Sequence, residues 1–237
     1  MAPYIIINGK NSKNVTGLLI QSLPPITKPK IRTSIEEIDG RDGDIITTLG
    51  YAAYDKQISI GLHGDYNVDD VIEFFNTSGK ITFSNEIDKY YLFSTYDTID
   101  FNRLVRFKTA NVNFHVQPFK YSIEEPLVKW ANEGGETIAD FSVRNNGNIY
   151  AKPTIKIAGT GVILVKINNV SLLNINLNNE TIIIDAQTMN ATDESGNYLN
   201  RKVTGDYNKL RLKPGINYIT VTGQIETVEV SNYMRWV

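Results

Sequence analysis

Asn111-Val112-Asn113-Phe114-His115-Val116-Gln117 alternates polar and apolar side chains without a break. Successive side chains of a strand point to opposite faces, so Val112, Phe114 and Val116 share one side and Asn111, Asn113, His115 and Gln117 the other. That is a strand laid over an apolar core with its second face in water. The same period recurs outward along the chain. Ile81 and Phe83 alternate with Thr82 and Ser84, Ile155 and Ile157 flank Lys156, and Leu173, Ile175 and Leu177 alternate with asparagines. Val228 and Val230 close the series. Turn pairs punctuate it, among them Asn8-Gly9, Pro24-Pro25, Ser78-Gly79, Asn146-Gly147, Ser195-Gly196 and Pro214-Gly215. Short strands between such turns predict an all-β chain built as sandwiches.

One helix interrupts the pattern. Val68, Val71, Ile72 and Phe75 fall at i, i+3, i+4 and i+7 and share a face. Asn67 is placed to cap its start, Asp69 and Asp70 suit the positive end of its dipole, and Gly79 is placed to stop it. Before it, Ile31 to Tyr54 reads as a long hairpin whose tip, Asp39-Gly40-Arg41-Asp42-Gly43-Asp44, is too polar to bury. Its length exceeds what one small sheet needs, so it is expected to project as an arm. Alternation lapses between residues 122 and 137, where Glu124-Glu125-Pro126 and Glu133-Gly134-Gly135-Glu136 cluster. This divides the chain into domains 1–126 and 127–237.

Chemistry is sought in vain. The net charge is -2, too little for a bulk field that would hold nucleic acid. There is no Cys, hence no disulfide, thiolate ligand or thiol nucleophile. No stretch approaches the roughly 20 apolar residues of a membrane helix, and Met1 to Gly9 has no signal-peptide pattern. The two histidines, His63 and His115, have no partner at metal-ligand spacing. Adjacent carboxylates at Glu36/Glu37, Asp69/Asp70, Glu124/Glu125 and Asp193/Glu194 do not suit a glycosidase pair, since neighbours on a strand diverge. The acidic hairpin tip lacks the continuation of a calcium loop, and turn chemistry accounts for it. Gly159-Thr160-Gly161, with no Lys after it, reads as a strand turn. Five Asn-x-Ser/Thr sequons are read as chance in an Asn-rich chain. Trp130 and Trp236 are read as packing residues. No enzyme, cofactor or metal is expected, and a surface remains as the product.

The order of these features resembles the distal tail proteins that form the tail-tip hub of siphophages of Gram-positive hosts. An N-terminal strand ends in Asn8-Gly9 and is followed by Leu23-Pro24-Pro25. A charged strand leads into Glu37-Ile38-Asp39-Gly40-Arg41-Asp42-Gly43, and Gly50-Tyr51 to Tyr54 returns from it. A short acidic helix, a strand pair around Lys80 to Tyr91 and the segment Phe114-His115-Val116-Gln117-Pro118-Phe119-Lys120-Tyr121 complete the first half. In the second half Asn145-Asn146-Gly147-Asn148, Ala151-Lys152-Pro153-Thr154, Leu210 to Asn217 and a terminal Arg235-Trp236 are similar to the family's second sandwich.

The resemblance implies a fold and a role. The N-terminal domain would form a homo-hexameric ring around a channel that DNA crosses in transit. The ring would stack on the major tail (tube) protein and receive the tail-associated fibre or lysin protein. The galectin-like, carbohydrate-binding-module-like C-terminal domain would dock receptor-binding or other baseplate proteins. The protein would be made in the host cytoplasm and reside in the virion. The hairpin would act as a belt on the next subunit, which makes Ile35, Ile38, Arg41, Ile45, Leu49, Tyr51 and Tyr54 the candidate subunit-interface residues. Rival readings are a carbohydrate-binding module or lectin-like adhesion protein, marked by an exposed aromatic row, a filament-forming tube-like subunit, and a hydrolase with a dispersed site.

Overall fold

A computed structural model describes residues 2–94 and 99–237. They fall into two compact units, Met1–Ile123 and Glu124–Trp236.

Unit one begins with β1 (Ile5–Ile7) and β2 (Lys10–Asn11), joined by Asn8 and Gly9 at φ 47° and 84°. Two consecutive positive-φ residues are what a tight hairpin demands, and Asn-Gly adopts them at least cost. β3 (Leu18–Ser22) follows, then β4 (Ile31–Glu36) and β5 (Ile45–Tyr51), which among the described residues pair only with each other. β6 (Tyr54–Leu62), α1 (Val68–Phe75), β7 (Gly79–Phe83), β8 (Lys89–Ser94), α2 (Phe101–Phe107) and β9 (Thr109–Ser122) complete the unit. The main sheet runs in the order β2-β1-β7-β8-β9-β6-β3. A short 3-10 turn at 12–14 touches both β1 and β3, so the sheet curls until its two edges flank one turn.

The strand quoted at the outset is the axis of that curl. Ala110, Val112, Phe114 and Val116 of β9 are all buried, as their alternation predicts. The ring of Phe114 lies 5.4, 6.2 and 6.3 Å from those of Phe93, Phe83 and Phe75. Phe75 comes from α1, which closes the core with Val71, Phe74 and Phe75, while Val68 and Ile72 are half-buried. The buried stripe is therefore rotated from the one expected, toward Phe74. Asn67 caps α1 as predicted, its side chain accepting from the Asp69 N–H at 3.0 Å.

Two sequence expectations fail here. Gly79 does not end α1, which stops at Phe75 with Asn76 as its C-cap. Gly79 instead opens β7 at φ 136°, where a Cβ would fall 2.3 Å from the Asn8 side chain. That Asn8 carboxamide accepts from the Lys80 N–H and donates to the Ser78 carbonyl, so it needs the space. The second failure is α2, a helix beyond the one expected. Only Leu104 of its seven residues is buried, so no apolar period announces it.

Unit two contains β10 (Leu127–Ala131), β11 (Ile138–Asn145), β12 (Thr154–Ile167), β13 (Val170–Asp185), β14 (Asn190–Thr192), β15 (Val203–Gly205) and β16 (Gly215–Ser231). Three of these are long and serve two layers. The ends Thr154–Gly159, Glu180–Asp185 and Thr227–Ser231 pair with each other and with β10 and β14. The other ends, 164–167, 170–177 and 215–222, pair with each other and with β11 and β15. Strands that bend from one sheet into the next make the corners of a sandwich, and the bends fall where the register slips, between Gly159 and Leu164. Gly159-Thr160-Gly161 is therefore a bulge inside a continuous strand, not the turn its composition suggested. Ile155, Ile157, Ile163, Val165, Ile175, Val221 and Val228 are among the residues that fill the core between the layers.

Candidate functional site

The candidate site is the hairpin of unit one. Its register pairs Ile31 with Tyr51, Thr33 with Thr48, Ser34 with Thr47, Ile35 with Ile46 and Glu36 with Ile45. Directly opposed residues of an antiparallel pair share a face. One face thus carries Ile31, Thr33, Ile35, Ile46, Thr48 and Tyr51, and the other carries Arg32, Ser34, Glu36, Ile45 and Thr47. The ladder slips between Arg32 and Thr33, where Leu49 is the extra residue and Gly50 sits at φ 128°. Such a bulge bends and twists the ribbon.

The root is tied down and the remainder is not. Tyr51 meets Phe119 of β9 edge-on at 5.4 Å, and the Ala52 N–H donates to the Lys30 carbonyl at 2.8 Å. Beyond that root Ile35 is 58% exposed and Ile46 64% exposed, and Ile38, Leu49 and the whole tip from Glu37 to Asp44 lie open. A two-stranded ribbon with exposed isoleucines is marginal in water by itself and offers two unpaired edges.

The sequence-predicted residues separate on this frame. Ile35, Ile38, Arg41 and Leu49 are on the arm and exposed, and Tyr51 is at its root. Ile45 is half-buried and lies on the polar face, opposite Glu36. Tyr54 belongs to β6 in the main sheet, opposite Val116, so it is not an arm residue. Ile46 and Ile31 were missed, although they complete the apolar face. Strict alternation from Ile45 would have put Ile46 on the wrong side, and only the bulge at Leu49 restores it.

Beneath the arm's entry lies a cluster of buried charges. Lys56 is 3% exposed, its ammonium donates to the Pro25 carbonyl at 2.9 Å, and it lies over the Tyr91 ring at 4.9 Å. Glu86 accepts from Lys120 and from the Tyr91 hydroxyl, each at 2.7 Å. Burial pushes the Lys56 pKa down to about 8, with Lys120 adding to the effect and Glu86 opposing it. Burial and the Glu86 carboxylate push the Tyr91 pKa up. These groups fasten the Pro24-Pro25 segment, from which the chain enters the arm, to the main sheet.

The motifs of the second half prove to be turn locks that converge. The Asn145 carboxamide donates to the Ile149 and Leu212 carbonyls at 2.9 and 3.0 Å. Gly147 lies where a Cβ would be 2.2 Å from the Arg235 carbonyl oxygen. Arg235 donates through two nitrogens to the Tyr150 carbonyl and lies over the Tyr150 ring. Asn217, fully buried, bonds both backbone groups of Lys213 and so closes the Pro214-Gly215 turn.

His115 lies 2.6 Å from Asp55, and among the described residues no group of three His, Asp or Glu is placed to hold a metal ion. The large exposed aromatics Tyr198, Tyr218 and Phe107 stand on a loop of unit two, on β16 and on α2, not in a row on one sheet face. Among the described residues no helix is long and apolar enough to cross a membrane.

No family model matches the sequence, and no curated protein matches it. Solved structures do. The SPP1 Dit protein (gp 19.1), described as a paradigm of the hub adsorption apparatus in Gram-positive-infecting phages, is similar with a TM-score of 0.74 at 19% identity, over 100% of both chains. A chain of the phage P2 baseplate in its activated conformation with Ca is similar with a TM-score of 0.55 at 11% identity, over 99% of this chain and 98% of that one. The Sr form of that baseplate gives 0.55 at 11% identity, over 98% and 97%. The chain shares the all-β fold of these hub and baseplate chains over nearly its whole length.

Proposed function

We propose that the chain is a structural protein of a phage tail tip, a distal-tail-type hub that works by assembly and not by catalysis. Residues 1–126 form a hexameric ring around a channel for DNA, stacked between the major tail protein and a tail-associated fibre or lysin protein. Residues 127–237 dock receptor-binding or other baseplate proteins. The observation that carries this reading is the full-length likeness to the SPP1 hub protein, a TM-score of 0.74 over 100% of both chains. The exposed arm supports it, because a closed ring of identical subunits joins two different patches of each copy. Burying two or three isoleucines of the arm would contribute about 1.5–3 kcal/mol each.

Light scattering and negative-stain imaging of the purified protein test the reading. Rings of uniform mass are expected. Deleting residues 35–49, which joins Ser34 to Gly50, should leave a folded monomer. A ring that survives the deletion refutes the belt, and a filament or a lone monomer of the intact chain refutes the hub.

A further inference from the structure

The free end of the arm is acidic and apolar at once. Between Glu36 and Asp44 stand five carboxylates and one cation, Arg41. Beside them Ile35, Ile38 and Ile46 are exposed. A surface that receives such an end needs cations interleaved with open hydrocarbon, so that apolar area is buried and no carboxylate is left without a counter-charge.

Helix α2 supplies this combination. Arg103, Val105, Arg106 and Phe107 are all exposed, Phe107 to 61%. Arg103, Arg106 and Phe107 line a recess of about 720 Å³ together with Asp100, Asn102 and Thr109. The one carboxylate among the described residues of that lining, Asp100, is engaged as the helix cap and accepts the Arg103 amide N–H at 2.8 Å. Arg106 lies over the Phe107 ring at 5.2 Å, which joins charge and apolar surface in one patch. A second basic recess, in unit two, is lined in part by Lys209, Arg211 and Lys213 and is smaller, about 470 Å³. There Asp206 already stands 3.6 Å from Lys209, and Arg211 is stacked over Tyr150 at 4.3 Å.

We propose that the exposed face of α2, centred on Arg103, Arg106 and Phe107, is the seat for the acidic arm tip of the adjacent copy. The proposal rests on the ring-forming reading above and names the second of the two patches that a heterologous contact requires. It also gives the unforeseen helix a purpose: Leu104 and Phe101 anchor it to the core, and the other five of its seven residues are exposed.

The absence of Cys makes a clean test possible. Ile38→Cys protein is mixed with Val105→Cys protein under mild oxidation, and the product is mapped by peptide mass. A disulfide between positions 38 and 105 of different copies is expected. In parallel, Arg103→Glu with Arg106→Glu should lower the ring fraction by about tenfold or more, and adding Asp42→Lys and Asp44→Lys should restore it. Circular dichroism checks that these surface variants stay folded. If the wild type forms rings that the 35–49 deletion abolishes, yet the α2 reversal leaves them intact and no 38–105 link forms, the α2 seat is refuted and the ring reading stands. A link from Ile38→Cys to Arg211→Cys assigns the other recess and likewise refutes it. A wild type that stays monomeric and unlinked refutes both.

Discussion

Lys56 shows how a single side chain sets the pH response of unit one. Unfolded, a lysine holds its proton to about pH 10.5, whereas folded Lys56 releases it near 8. Between those values the unfolded chain binds more protons, so raising the pH favours the folded state. Tyr91 and Tyr54 act in the opposite sense higher up, since burial raises both and the unfolded phenols ionise first, near pH 10. Stability of unit one should therefore be level up to about pH 8, climb to a maximum near 10 and fall beyond it. Urea titrations at pH 7, 9 and 11 followed by far-UV circular dichroism check this, and Lys56→Met should flatten the rise, which is on the order of 2 kcal/mol. None of this was legible in the sequence. Lys56, Glu86 and Lys120 lie far apart along the chain, and each looks like an ordinary surface charge until β6, the turn between β7 and β8, and β9 bring them together.

At the scale of elements, alternation disclosed most strands, because a half-buried sheet writes its geometry into every second residue. It concealed whatever breaks that period. The slip at Leu49 hides that Ile46, not Ile45, shares a face with Ile35, α2 was invisible because almost nothing in it is buried, and Gly159-Thr160-Gly161 was read as a strand turn. That tripeptide now makes a sharp prediction. A Cβ on Gly159 would stand 2.4 Å from the Gln224 backbone oxygen, whereas Gly161, at φ 75°, has open space around it. Gly159→Ala should cost about 2–3 kcal/mol, and Gly161→Asn, a residue that tolerates positive φ, should cost far less. Denaturant midpoints read by tryptophan emission distinguish the two. The turn motifs of the second half were legible as a set, yet their roles were not: Asn145, Gly147, Asn217 and Arg235 lock loops through contacts that only the folded sandwich creates.

At the scale of the whole molecule, the two units have separate cores with no residue in common. Trp130 packs against the core of unit two, so indole emission measured in a Trp236→Phe background reports that unit while circular dichroism reports both. Chemical denaturation should give transitions that do not coincide by the two probes, the mark of more than one cooperative block. Lys56→Met should shift the dichroism curve and leave the emission step in place, whereas Gly159→Ala should move the emission step and the matching part of the dichroism curve. A single shared midpoint in all three proteins would show that the units unfold together.

The long bent strands of unit two carry a mechanical consequence. Because β12, β13 and β16 each run through both layers, neither layer can be peeled off while the other stands. A load applied to this unit is borne by covalent chain around the corner and must shear whole ladders at once instead of unzipping them rung by rung. Such a joint would resist tearing where two independently stitched sheets would come apart.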